Sequence, residues 1–159
     1  MRKAMLLLAV LGLVGSLWAE EPMGVGTWKL NLAKSKLPAS AAQMKEQITV
    51  FRALDATMME GTSTTTQIDG TTNVEQWTVP INGGILTYSQ GRQKDVEGLL
   101  FFVTRIDPYT TYNTTIFKGR QAGLMLVKMS QDEKTFTVTS RGRDEQKKPV
   151  DYIYIYEKQ

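Results

Sequence analysis

Hydrophobic and polar residues alternate with a period of two along short segments of this chain, which is the pattern of β-strands with one buried face. Residues 26–32 give the clearest example, because Trp28 and Leu30 alternate with Lys29 and Asn31. No segment keeps an amphipathic helical period for more than about ten residues. The alternation therefore predicts an all-β protein.

Ten short segments carry the strand pattern, and most of them are rich in β-branched and aromatic residues. They are residues 26–32, 48–53, 57–68, 72–79, 85–89, 99–106, 111–118, 123–129, 135–140 and 151–156. Residues 39–45 are instead predicted to form a turn or two of helix. Short strands at this spacing are typical of a meandering barrel or a sandwich. We expect a barrel, because closure removes the unpaired edges of a sheet.

Turn-forming sequences separate several of these segments. Asp69-Gly70 favours a tight hairpin, because both residues tolerate the positive φ that such turns need. Asn82-Gly83 and residues 131–134 are expected to form further turns. The sequence has no internal repeat and no linker, so the turns are predicted to connect the strands of one domain.

The first nineteen residues have the three parts of a secretory signal peptide. A positive start precedes the apolar run of residues 4–14, and Ala19 is a small residue after which cleavage is expected. The apolar run is shorter than the ~20 residues that span a bilayer. We expect cleavage of residues 1–19, a single domain of residues 20–159, no stable membrane span, and a secreted or periplasmic protein.

The absence of histidine and cysteine removes many kinds of chemistry. Without histidine the chain lacks the commonest general base and the usual zinc ligand. Without cysteine it can form no disulfide, iron–sulfur or haem-thiolate site, and no lipid-modified N-terminus. We therefore expect no catalytic residue set, no metal site and no cofactor.

The charge of the chain changes little about this picture. Loss of Arg2 and Lys3 with the signal lowers the net charge from +3 to +1. The basic residues at 141–143 and 147–148 have acidic neighbours, which is typical of a solvated loop rather than of a nucleic-acid interface. We expect no nucleic-acid partner.

Residues 26–36 (GTWKLNLAKSK) resemble the opening of a group of small, secreted, lipocalin-like bacterial proteins of unknown function. The similarity resumes in three later segments, residues 105–107, 130–142 and 154–159. The resemblance implies a calycin-type barrel, antiparallel and up-and-down, with about 8–10 strands. It carries over no catalytic residue.

The resemblance also implies a role for Trp28. In lipocalins the tryptophan of this motif closes one end of the barrel, and an arginine from near the last strand packs over it. Arg141 or Arg143 is expected to supply that cation here, in an arrangement favoured by cation–π attraction. Trp28 would then be a folding residue rather than a ligand contact.

Alternation also predicts which side chains face the barrel interior if Trp28 does. The candidate ligand-binding residues are Trp28, Leu30, Trp77, Met125, Val127, Met129, Phe136, Val138 and Tyr154. Such a lining suits a small apolar or amphipathic ligand. The same residues also fit a solid core, since small barrels are often filled by their own side chains. In residues 152–156, either the tyrosines or the isoleucines face inward.

Ligand binding is therefore the leading hypothesis, and two alternatives remain. One is an enzyme that pairs tyrosine with an inward carboxylate, for which the candidates are Glu60, Glu75, Asp95 and Asp107. The other is a solid barrel that acts through an exposed apolar patch, as an inhibitor or as an envelope-assembly partner. The Thr-rich residues 57–68 are expected to face solvent, with docking of a partner at a sheet edge as the alternative.

Overall fold

The computed structural model describes residues 22–144 and 146–159, which form ten strands and one short 3-10 turn. The predicted signal peptide, residues 1–19, lies outside the described residues. The 3-10 turn is Ala39–Ala41. The strands are β1 (Gly26–Leu30), β2 (Met44–Ala53), β3 (Met58–Gln67), β4 (Thr72–Pro80), β5 (Gly83–Gln90), β6 (Leu99–Asp107), β7 (Thr110–Phe117), β8 (Arg120–Met129), β9 (Thr135–Arg143) and β10 (Pro149–Lys158).

Each strand pairs antiparallel with the next along the chain, and β10 pairs with β1 to close the barrel. In the closing pair Leu30 lies opposite Tyr156, and Trp28 lies opposite Lys158. The prediction of an all-β, up-and-down barrel is confirmed. The predicted Asp69-Gly70 hairpin joins β3 to β4, with Gly70 at φ 87° and the Asp69 carboxylate accepting the Thr71 N–H.

One local prediction is confirmed only in part, and one alternative is wrong. Of residues 39–45, only Ala39–Ala41 form a helical turn, which is a single 3-10 turn, and β2 already begins at Met44. Pairing of β2 with β3 over its full length outweighs the weak helical preference of the remaining residues. Residues 57–68, for which a sheet edge was the alternative, do not form an edge, since β3 pairs with both β2 and β4.

The hydrophobic core lies at one end of the barrel, which we call the core end. Its buried members are Trp28, Leu30, Phe136 and Tyr156, and Trp28 has no solvent exposure. The indole meets the ring of Phe136 edge-on at 4.9 Å, and Phe136 stacks on Tyr156 at 4.3 Å. The indole N–H donates to the Gly24 carbonyl at 2.9 Å, so the buried polar atom of Trp28 is satisfied.

The cation over Trp28 is Lys158, and the expectation of Arg141 or Arg143 is wrong. The Lys158 Nζ lies 5.5 Å from the Trp28 ring centroid. Both arginines are at the far end of β9, where Arg141 pairs with Asp151 at 3.0 Å. Only the end of β9 that contains Phe136 lies beside Trp28. The antiparallel register of β9 therefore separates both arginines from the indole.

The outer surface of the barrel differs between its two sides. On β3 the outer face is polar and carries the half-buried Thr62, Thr64 and Thr66. On β5 to β8, large apolar side chains are exposed, and we call these residues the apolar outer face: Ile85, Leu100, Phe102, Tyr112 and Leu124. Ile85 is next to Phe102 in register, and Thr114 bridges Phe102 to Leu124. Within the described residues, no helix has the length and apolar character needed to cross a membrane.

Candidate functional site

A cavity of about 610 Å³ occupies the barrel interior at the end opposite the core, which we call the open end. The 3-10 turn lies over it, contributing Ser40 and Ala41, and the loop after β5 contributes Arg92 and Gln93. The volume is in the range of sites that hold small molecules. The barrel is therefore not filled by its own side chains along its whole length.

The cavity has two chemically distinct walls. Strands β8 to β10 contribute the apolar wall, formed by Met125, Val138 and the rings of Tyr154 and Tyr156 together with the hydroxyl of Ser140. Strands β2 to β4 contribute the polar wall, formed by Gln47, Ser63, Thr65, Gln67, Asn73 and Glu75 together with the apolar Met44. Each wall consists of alternate residues on adjacent strands, because every second side chain of a strand points inward. The site is thus amphipathic.

A hydrogen-bond network fixes the base of the cavity. The Tyr156 hydroxyl donates to Gln47 Oε1 at 2.7 Å, and Gln47 Nε2 donates to Thr65 Oγ1 at 3.0 Å. Beside it the Thr49 hydroxyl donates to Ser63 at 3.2 Å. Burial, with a smaller contribution from Tyr154, raises the pKa of Tyr156, so its hydroxyl stays protonated and available as a donor. Tyr156 therefore belongs both to the core and to the cavity.

Glu75 is the one carboxylate among the described residues that line the cavity. It is half-buried, and the loop after β5 holds its stem in place. Gly91 has φ 106°, and a Cβ atom there would lie 2.7 Å from Glu75 Cγ, so only glycine fits against this side chain. Among the ion pairs of the part of the chain that the structure describes, neither Glu75 nor Arg92 takes part.

Burial, together with the negative charge of Glu75, raises the pKa of Tyr88 to about 12. The Tyr88 ring lies 5.9 Å from Trp77 and 5.0 Å from Phe101. Burial also raises the pKa of Tyr154, with a further contribution from Tyr152. Tyr154, which lines the cavity, and Tyr88, which lies close to Glu75, therefore remain neutral at physiological pH.

The nine residues predicted to bind a ligand are divided between the two ends of the barrel. Met125, Val138 and Tyr154 line the cavity, and Val138 and Tyr154 also pack against the core. Trp28, Leu30 and Phe136 belong to the core at the other end, and Val127 and Met129 pack against that core. Trp77 contacts Phe51 and Tyr88 instead of the cavity. In β10 the tyrosines face inward, as Tyr154 and Tyr156 both line the cavity.

The polar wall was not predicted from the sequence. Ser63 and Thr65 lie in the Thr-rich segment that was expected to face solvent or to dock a partner. In the structure they share the inner face of β3 with Gly61, which is buried against Trp77. The sequence pattern does not distinguish the two faces, because both carry polar residues and the neighbouring Met58 and Met59 lie on opposite faces.

Three of the four candidate carboxylates lie away from the cavity. Glu60 pairs with Arg52 on neighbouring strands, and Asp107 accepts the Tyr109 N–H at 2.7 Å in the turn between β6 and β7. Asp95 is exposed in the loop before β6. Glu75 alone of the four borders the cavity. In residues 22–144 and 146–159, no group of three or more acidic, histidine or cysteine side chains is placed to hold a metal ion.

The fold and the site define a closed antiparallel barrel with an amphipathic internal cavity. Comparison with protein-family models, with curated proteins and with solved structures finds no match to this chain.

Proposed function

We propose that the protein is a secreted, non-catalytic binding protein with a lipocalin-like barrel, and that it holds a small amphipathic molecule in the cavity. The cavity carries this proposal, because about 610 Å³ of interior space faces an apolar wall on one side and a polar wall on the other. A ligand with one apolar and one hydrogen-bonding side complements both walls. The signal-like pattern of residues 1–19 supports secretion.

Native mass spectrometry of the mature protein, purified without detergent from the producing cell's secretory compartment, tests the proposal. We expect an extra mass that is lost on denaturation and recovered in the organic extract. Val138→Phe, which fills the cavity, should abolish that mass, whereas Leu124→Phe on the apolar outer face should retain it. A clean apo mass, with tryptophan fluorescence unmoved by lipids and hydrophobic dyes, would contradict ligand binding.

A second candidate function, interaction with a protein partner, is supported by the apolar outer face. Exposed apolar patches on soluble proteins often mark interaction sites. The chain has no cysteine, so a photoreactive probe can be attached at one introduced position. Probes at Phe102→Cys should link to one defined partner in the producing cell, and probes at Thr64→Cys on the polar side should not. Equal labelling from the two positions would remove this candidate.

The enzyme alternative receives less support. Acid–base catalysis works best with groups whose pKa lies near the working pH. Burial moves the pKa of Tyr88 and Tyr154 upward, away from neutrality. The phenol of Tyr154, which lines the cavity, is better suited to donating a hydrogen bond to a bound molecule than to transferring protons.

A further inference from the structure

The polar wall contains a negative charge that the described part of the protein does not neutralise with an ion pair. Glu75 is half-buried in the barrel interior and takes part in none of the ion pairs among residues 22–144 and 146–159. A carboxylate can only accept hydrogen bonds, so its natural complement is a donor or a cation. Partial burial makes the attraction between the carboxylate and a donor or cation stronger than it is at an exposed surface.

A second charged residue at the cavity, Arg92, is placed differently. Arg92 is exposed in the loop after β5, where water solvates the guanidinium. Glu75 is held inside by Gly91, which allows the loop to pack directly on its stem. A ligand that enters the cavity therefore meets the carboxylate in the interior and the guanidinium only at the rim.

Two aromatic rings line the cavity, and a third lies close to Glu75 outside the lining. Tyr88 is near enough to Glu75 to be affected by its charge, and it forms with Trp77 and Phe101 a row of rings that does not line the cavity. Tyr154 and Tyr156 face the cavity from the opposite wall. Aromatic faces attract organic cations, and this attraction is larger where water is excluded. Carboxylate and rings thus favour the same kind of ligand group.

We propose that the bound molecule is a cationic amphiphile, with an ammonium or guanidinium-type group at Glu75 and an apolar body against Met125, Val138 and Tyr154. This inference rests on the proposed binding function and narrows its ligand class. A fatty-acid-type anion is disfavoured in the same pose, because its carboxylate would lie beside that of Glu75. Arg92 would attract such an anion only at the exposed rim.

Three probes with the same alkyl chain and different head groups test the inference: decylamine, decanol and decanoate, each below its micelle concentration at pH 7. Binding is followed by tryptophan fluorescence and by calorimetry. We expect decylamine to bind about tenfold more tightly than decanoate, the effect expected of a hydrogen bond to a charged group. Decanol should bind with intermediate affinity.

Glu75→Gln keeps the shape of the side chain and removes the charge, so it should erase the preference for decylamine and leave decanol affinity unchanged. Glu60→Gln is the matched control, because Glu60 pairs with Arg52 away from the cavity and should leave the preference intact. Thermal melting of both variants verifies that they fold.

The outcomes separate the two proposals. If no probe binds the wild-type protein and no co-purified mass is found, the proposed binding function fails. If all three probes bind with equal affinity, or if Glu75→Gln leaves the preference unchanged, binding stands and the cationic ligand class is overturned.

Discussion

The two ends of the barrel interior are built from the same alternation but from different side chains. At the core end, Trp28, Phe136 and Tyr156 pack ring against ring and exclude water. At the open end, polar side chains such as Gln67 and Asn73 line a cavity of about 610 Å³. Packed rings stabilise the fold, whereas unfilled polar space is available to a ligand. The comparison teaches that tight packing and unfilled space lie at different ends of the barrel axis, with Tyr156 shared between them.

Truncation of Trp28 should give the largest loss of stability. Trp28→Ala removes a fully buried indole and its hydrogen bond to Gly24, and we expect a loss of about 3–5 kcal/mol of unfolding free energy. Chemical denaturation followed by circular dichroism measures this. Phe102→Ala on the apolar outer face is the control, with an expected change within about 0.5 kcal/mol. Equal losses for both variants would contradict a core confined to one end.

Overpacking beside the core should have the next largest effect. A Cβ atom at Gly61 would lie 2.7 Å from the Trp77 Nε1, so Gly61→Ala should cost about 1–3 kcal/mol of stability. Gly123→Ala is the matched control, because its Cβ would meet Thr115 at 3.4 Å, where a small adjustment suffices. Both are strand glycines without a positive φ. A larger loss of unfolding free energy for Gly123→Ala than for Gly61→Ala would contradict the tight packing of Gly61 against Trp77.

Removing the cation over Trp28 should have a smaller effect. Lys158→Met keeps the apolar stem and removes the ammonium, and we expect a loss of about 0.5–1 kcal/mol. Denaturation at low and high salt distinguishes this contribution from packing, since screening weakens the electrostatic part. If Lys158→Met leaves the unfolding free energy unchanged at both salt concentrations, a stabilising contact between Lys158 and the indole has to be abandoned.

Substitution at the open end should affect binding and leave stability almost unchanged. Asn73→Ala removes an exposed side chain of the polar wall, and we expect the free energy of unfolding to change by less than about 0.5 kcal/mol. The affinity for decylamine should fall in the same variant. A large loss of stability with unaltered affinity would show that the open end supports the fold rather than the ligand.

The strands were predictable from the sequence where a strand contributes to the core, because such a strand has apolar residues on one face. In β1 the alternation of Trp28 and Leu30 identifies the inner face directly. The beginning of β2 was missed because its first residues, around Lys45, show no such contrast. There the strand is defined by pairing with β3, which is a tertiary interaction that a local pattern does not contain.

The candidate site was predictable only on its apolar wall. Met125, Val138 and Tyr154 follow from alternation, whereas the polar wall does not. A serine or threonine that faces a cavity has the same sequence pattern as one that faces bulk water. Glu75 was named as a candidate, but its position beside Gly91 depends on a loop that folds back over β4. The cation at Lys158 was missed because cross-strand register, rather than sequence proximity to Arg141, decides which residue lies over the indole.

The pairing of β1 with β10 determines when the barrel can close during folding. The first and last strands lie near the two ends of the described chain, yet they pair with each other. Trp28 of β1 packs in one core with Phe136 of β9 and Tyr156 of β10. Contacts between residues so distant in sequence form slowly, because a long loop must close before they are made. Closure must therefore wait until the final strand has been synthesised, and loss of the last residues would leave both ends of the sheet without a partner.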